Sequence, residues 1–179
     1  MKDYAVLTAV GADRPGLVES ISKFILDQGC NIADSRMAVL GGEFAMLILI
    51  DGAPESIEKV AKGTAAASEK SGLAVQCRRT RSPGESARSG TIPYKLDAYS
   101  MDHPGIVQRV AGYLAGRKIN IRALDTRLTS APITGLPLFS LHATIEVPAQ
   151  ENVMELRQAL EAIGAQQNID IVLKPEGVN

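Results

Sequence analysis

Asp13-Arg14-Pro15-Gly16-Leu17-Val18 returns 89 positions later as Asp102-His103-Pro104-Gly105-Ile106-Val107. The correspondence continues well beyond the hexapeptide. Ile21, Phe24 and Ile25 are answered by Val110, Tyr113 and Leu114, and Asn31-Ile32 by Asn120-Ile121. The spacing then widens, so that Phe44, Met46, Ile48 and Ile50 align with Phe139, Leu141, Ala143 and Ile145. Self-similarity over most of a chain means two copies of one supersecondary unit. The extra residues of the second copy fall within Thr129 to Pro137, where the first copy has only Gly41-Gly42. That difference predicts the same hairpin with a longer tip.

Each copy reads as βαββαβ. In the first, Leu17, Val18, Ile21, Phe24 and Ile25 fall on one helical stripe, predicting a helix from Pro15 to Gln28 that covers a sheet. Strands are expected at Tyr4 to Val10, Ile32 to Leu40, Glu43 to Asp51 and Leu73 to Arg79, with a second helix from Pro54 to Ser71. The second helix carries Ile57, Val60 and Ala67 in the first copy, and a stronger stripe of Val153, Leu156, Leu160 and Ile163 in the second. Right-handed crossovers around a central hairpin give an α+β fold of two ferredoxin-like modules in tandem, each a four-stranded antiparallel sheet with two helices on one face and its first and third strands central. The expected boundaries are residues 1–79 and 91–179 for the domains and 80–90 for the linker.

Ala45-Met46-Leu47-Ile48-Leu49-Ile50 is apolar at every position, as strands buried on both faces are. A module of this size buries only about 60 to 65% of its unfolded surface and is marginal alone. Both points predict that the sheet face without helices meets another module, within the chain or across a homodimer.

Composition narrows the function. Of 179 residues 45% are hydrophobic and 22% charged, which excludes disorder as the main state. The formal charge of -1 leaves no broad cationic face for a phosphate backbone, so direct nucleic-acid binding is not expected. Basic residues concentrate in the connection, at Arg78, Arg79, Arg81 and Arg88, which reads as a solvated tether docking on acidic modules, with a partner or RNA contact as the alternative. No apolar run approaches the roughly 20 residues of a membrane span. Met1-Lys2-Asp3-Tyr4 lacks the order of a secretory signal, so a cytoplasmic chain without membrane contact is expected.

Chemistry that would make the chain an enzyme is missing from the pattern. Cys30 and Cys77 are isolated among apolar neighbours and read as buried thiols; with His103 and His142 they reproduce no zinc spacing, so no metal is expected. No glycine loop is placed to hold nucleotide phosphates, and no cofactor is expected. His142, in a strand, reads as structural or surface. His103 beside Asp102 reads as a pH-sensitive ligand contact, but its counterpart Arg14 cannot transfer protons at neutral pH. No catalytic residue emerges. An amino-acid-responsive regulator, a ligand-free interaction module and an uncharacterised enzyme remain as functional classes.

The repeated turn has two readings. Asp13 and Asp102 can cap the following helix, worth about 1 kcal/mol against Ala, with Pro15 and Pro104 preorganising its first turn. Gly16 and Gly105 inside that turn cost up to about 1 kcal/mol of helix propensity relative to Ala. The missing Cβ then serves either close helix packing or a small ligand lying on the helix-start amides, where a carboxylate finds donors and a favourable dipole. Asn31 and Asn120, at the start of the second strand, either satisfy their own turns or offer donor and acceptor to a zwitterionic amino acid.

With the βαββαβ repeat, the two Asp-x-Pro-Gly turns and the two Asn-Ile strand starts together, the chain resembles tandem ACT-domain regulators, and looks most like the glycine cleavage system transcriptional repressor family. The resemblance covers nearly the whole chain. It implies regulation without catalysis: ACT modules pair, bind small amino acids at the junction and pass the occupancy to a partner protein. Carried onto this chain, it makes Asp13, Arg14, Gly16, Asn31 and Ile32 ligand-binding in the first copy, and Asp102, His103, Gly105, Asn120 and Ile121 in the second. It implies glycine as effector, a homodimer, and a DNA-binding transcription factor as protein partner. The copies differ where Arg14 meets His103, Gly29 meets Lys118 and Cys30 meets Ile119, so the two sites are not electrostatically alike and one has room to be structural only.

Overall fold

A computed structural model describes residues 2–86, 90–130 and 135–177. The chain divides into two compact units, Met1–Ala87 and Arg88–Asn179. The first contains β1 (Asp3–Ala12), α1 (Leu17–Asp27), β2 (Cys30–Leu40), β3 (Glu43–Gly52), α2 (Pro54–Ser71), β4 (Ala74–Thr80) and the single turn α3 (Pro83–Ser86). The second contains β5 (Thr91–Met101), α4 (Ile106–Gly116), β6 (Asn120–Ser130), β7 (Pro137–Pro148), α5 (Val153–Gln167) and β8 (Ile169–Pro175). Both sheets are antiparallel, ordered β2-β3-β1-β4 and β6-β7-β5-β8. These are two ferredoxin-like βαββαβ modules, as the repeat predicts.

The period-2 and period-3.6 patterns meet in each core. In the first unit Ala5, Leu7 and Ala9 of β1 and Phe44, Met46, Ile48 and Ile50 of β3 face Leu17, Ile21 and Ile25 of α1 and Ile57 and Val60 of α2, all buried. Burying each large aliphatic side chain contributes roughly 1.5 to 3 kcal/mol. The second unit repeats the arrangement around Leu96, Leu141, Ile145, Ile106, Leu114 and Leu156.

Several expectations are corrected. Val18 and Val107 are 40% and 38% exposed, so they lie outside the core stripe: each sits one helical step, about 100°, from the buried Leu17 or Ile106. In α5 the buried position after Leu160 is Gly164, and Ile163 is only half-buried. A Cβ on Gly164 would stand 2.2 Å from the Ile169 carbonyl oxygen, so β8 approaches the helix backbone at the one residue that permits it. Arg78 and Arg79 belong to β4, not to a tether; Arg79 holds Asp3 at 3.0 Å and Glu58 at 3.1 Å within the first unit. Of the longer hairpin tip, Ser130 ends β6 and Pro137 starts β7; residues 131–134 lie outside the described residues. So do residues 87–89 of the connection.

The sheet faces without helices differ. In the first unit that face carries Val6, Leu47 and Leu49, but the equivalent positions of the second are Lys95, His142 and Thr144, beside Asp97. At these central positions the open face is apolar in the first module and polar in the second.

Candidate functional site

The repeated turn is not the beginning of a helix. The helices start at Leu17 and Ile106, with Gly16 (φ 90°, ψ -1°) and Gly105 (φ 99°, ψ -4°) as their N-caps. Those angles are what the third residue of a type II turn requires, and proline is favoured immediately before it. Pro-Gly is thus a turn, and glycine is there for its positive φ. Close helix packing does not explain it: a Cβ on Gly16 would meet nothing within 4 Å, and on Gly105 only the Arg109 Nε at 4.0 Å.

The capping role assigned to Asp13 and Asp102 is also corrected, since neither α1 nor α4 receives a side-chain hydrogen bond at its N-cap. A contrast lies in α5, where the Asn152 side chain accepts from the Met154 and Glu155 amides. Helix α2, which begins on Ala53-Pro54, also lacks a side-chain cap. The amides at the start of α1 and α4 have no partner inside the helix, and the dipole there favours an anion.

Three anchors fix each turn. The Asp13 amide donates to the Gly42 carbonyl at 2.9 Å, and the Asp102 amide to that of Pro137 at 3.1 Å, tying the turn to the β-hairpin. Arg14 Nη2 donates to the Ser71 carbonyl at 2.7 Å, and His103 Nε2 lies 3.2 Å from that of Gln167. Ser71 and Gln167 are the last residues of α2 and α5. The two unlike residues therefore do the same thing: each places a polar side chain on the carbonyl end of the second helix, where a cation complements the dipole. The third anchor is apolar, the buried Leu17 or Ile106 immediately after the glycine.

Asn31 and Asn120 satisfy neither their own turns nor the Asp-x-Pro-Gly turns. Asn31 Nδ2 donates across the sheet to Asp51 Oδ1 at 3.2 Å, and Asn120 Nδ2 to Glu146 Oε2 at 3.0 Å. Asp51 and Glu146 stand directly opposite in register. Asp51, only 5% exposed, also accepts from Lys2 Nζ, and that hydrogen bond above all holds its carboxyl below the usual range. Ile32 and Ile121 pack against the cores.

Within one module the two halves of the expected site are far apart. Asp51 pairs with Tyr4 on one side and Asn31 on the other, so Asn31 is level with the beginning of β1, and the turn follows the end of that strand. At about 3.4 Å per residue the distance from Tyr4 to Ala12 is roughly 27 Å. A hollow of about 230 Å³ between α1 and α2, lined by Phe24, Gly63 and Lys70 among others, includes none of the expected ligand-binding residues.

The remaining candidates are peripheral to the turns. His142 Nδ1 lies 2.7 Å from Asp97 Oδ1, with its ring edge-on to Tyr99, on the open sheet face. Cys30 is buried and Cys77 half-buried, and burial pushes both thiols up, away from the reactive thiolate. Among the described residues no group of three or more His, Cys, Asp or Glu is placed to hold a metal ion. None of the described helices is long and apolar enough to cross a membrane.

The ACT-domain family model matches residues 3–78, the first βαββαβ unit, and the second unit repeats that fold and its turn. The first unit is an ACT domain, and the second has the same fold. The glycine cleavage system transcriptional repressor of Escherichia coli K12 is 28% identical over 173 residues, covering 94% of this chain and 90% of that one. The crystal structure of an unknown protein from Galdieria sulphuraria superimposes with a TM-score of 0.80 at 28% identity, covering 98% and 99% of the two chains. A second structure, of a protein provisionally described as a glycine cleavage system transcriptional repressor, gives 0.71 at 26% identity, with 97% of each chain covered. ACT modules are regulatory and non-catalytic, and the chain is similar to the repressor family along its length.

Proposed function

We propose that this protein is an amino-acid sensor in which a small amino acid, glycine first among the candidates, binds where the Asp-x-Pro-Gly turn of one module meets the strand start of a module from a second copy. The observation that carries the proposal is the pair of uncapped helix starts behind Gly16 and Gly105, held in the same geometry in both units. A carboxylate placed there accepts from amides that no side chain occupies.

The ammonium end has a matching acceptor. Because a carboxylate only accepts, Asp51 orients the Asn31 NH2 towards itself and turns the Asn31 carbonyl away. That carbonyl suits an ammonium donor. Asn120 and Glu146 repeat the arrangement. One module cannot present both ends to one ligand across roughly 27 Å of strand. A second copy can: antiparallel pairing of two β2 edges lays the Asn31 end of one strand beside the Leu40 end of the other, next to the hairpin to which the turn is tied. The edge invites it, since Asp34 to Leu40 is exposed throughout and includes Met37, Val39 and Leu40.

In this reading Asp13, Arg14 and Gly16, with Asp102, His103 and Gly105, shape and anchor the turns; Asn31, Ile32, Asn120 and Ile121 form the opposing walls. The repressor relatives favour transcriptional control of glycine metabolism, and the formal charge of -1 favours action through a DNA-binding protein partner, with the chain itself off the DNA. Calorimetry of the full chain with glycine tests the sensor. Saturable heat that disappears in Asn31→Leu plus Asn120→Leu supports it. Heat unchanged in that variant rejects the site, and no heat with any small amino acid leaves a ligand-free interaction module. Loss of glycine-responsive transcription of glycine-cleavage genes in a strain lacking the protein tests the regulatory role.

A further inference from the structure

The open sheet face of the first unit has a pattern that its counterpart lacks. Its central strands β3 and β1 present Leu47, Leu49, Val6 and Thr8, with Leu47 50% exposed. One row of the register crosses the whole sheet as Asp34 on β2, Leu49 on β3, Val6 on β1 and Arg78 on β4. An acid therefore stands at one edge and a base at the other, with two aliphatic side chains between them.

That row is complementary to itself. When two such sheets face each other across a two-fold axis parallel to the strands, β2 of one copy lies over β4 of the other. Asp34 then meets Arg78 of the second copy, and Arg78 meets Asp34, while Leu49 and Val6 pack on Val6 and Leu49. The Asp34 Oδ1 accepts from the Ser35 amide at 2.8 Å and from Arg36 at 2.6 Å, contacts that orient the carboxylate. The usual crossing of about 30° between packed sheets moves the edge residues by only a few ångströms, within the reach of an arginine.

The same row of the second unit reads Ala123, Thr144, Lys95 and Lys174. Facing itself, it would bring lysine over threonine and alanine, with no acid opposite. The distinction between the faces is thus chemical, not a matter of fold.

We propose that the open face of the first module is an isologous docking surface for a second copy of this chain, closed at both edges by reciprocal Asp34–Arg78 ion pairs. The association goes beyond the ligand reading and needs neither the turns nor Asn31. From a strand spacing of about 4.8 Å and a rise of about 3.4 Å, four strands of eight residues offer about 500 Å² per copy. That is below the ~800 Å² of a tight specific interface, so the contact is reversible and depends on protein and salt concentration.

The test is a mixing experiment on full-length chains without amino acid, read by sedimentation velocity from micromolar to near-millimolar concentration. Asp34→Arg alone sets Arg against Arg at both edges, and Arg78→Asp alone sets Asp against Asp. Each is expected to weaken association at least about tenfold. An equimolar mixture of the two restores both attractive pairs and is expected to associate as the wild type does. Partial unfolding of either variant would not reproduce that recovery. Single variants that associate like the wild type, or a mixture no stronger than its components, overturn the proposal. Where β2 edges also pair, the same assay reads dimer to tetramer; where they do not, it reads monomer to dimer.

Discussion

Replacing Gly16 by alanine isolates a backbone effect from packing. At φ 90° an L residue meets its own carbonyl, a strain of about 1 to 2 kcal/mol, while the new methyl group touches nothing within 4 Å. No steric cost is added and no contact is gained. With a urea m-value of about 1 to 2 kcal/mol/M, expected for so small a unit, the unfolding midpoint falls by about 1 M. Asparagine, which tolerates positive φ, should recover a good part of the loss. The assay is a urea titration of the full chain followed by backbone NMR signals assigned to each unit, because two units need not unfold together. Gly16→Ala should move the first unit and leave the second in place; Gly105→Ala, at φ 99°, should do the reverse. Gly164→Ala supplies the contrast, since its Cβ at 2.2 Å from the Ile169 oxygen must displace β8 and cost more than either. A Gly16→Ala variant as stable as the wild type, or an asparagine as damaging as the alanine, would refute the conformational account.

Other consequences follow from single contacts. Asn152→Ala removes the cap of α5 and should cost about 1 kcal/mol, measured on the signals of the second unit, with Asn152→Ser restoring most of it. Arg14→Ala should destabilise the first unit by about 1 kcal/mol, the charge-assisted bond to Ser71 being discounted for exposure; Arg14→His, which imports the residue of the second copy, should cost less. Asp51 has its carboxyl held down mainly by the Lys2 hydrogen bond, so the stability it contributes is present above the ordinary carboxylate range and is lost as pH falls through its lowered value. Asp51→Asn should therefore flatten the acid limb of a stability-against-pH curve for the first unit, and an unchanged limb would contradict the assignment.

What could be read from the sequence divides along physical lines. Core periodicity is local to each element, which is why Leu17, Ile21 and Ile25, and the alternation through Phe44, Met46 and Ile48, were enough to give both topologies. The Pro-Gly pair resembles the first turn of a helix in sequence because proline obeys two rules at once, favouring both a helix start and the second position of a turn. The following glycine separates the two, since a type II turn demands positive φ and a helix penalises it. Asn31 was out of reach for a different reason: its partner, Asp51, is on another strand and becomes visible only with register. A signal was nevertheless present. Superimposing the copies puts Glu146 on Asp51, so an acid recurs opposite each asparagine. The contacts of Arg14 and His103 with the carbonyl ends of α2 and α5 left no such trace, because a backbone acceptor has no residue identity.

The separation of the turn from Asn31 also bears on how sensing would work. A module that held both ends of a ligand would need a second conformation to report occupancy, since a ligand moves an equilibrium only by binding its two states unequally. Under the proposed reading no such state is required. Each chain carries complementary halves at opposite ends of a sheet, the ligand fits only where two copies meet, and the paired form alone gains its binding energy. Assembly is then strengthened by RT ln(1 + [L]/Kd) for each site, about 2.7 kcal/mol at a hundredfold excess over Kd. Dimerisation measured with increasing glycine should then steepen in the wild type and become independent of glycine when Asn31 and Asn120 are both replaced. A dimer equally strong with and without glycine in the wild type would show that occupancy is not reported through assembly.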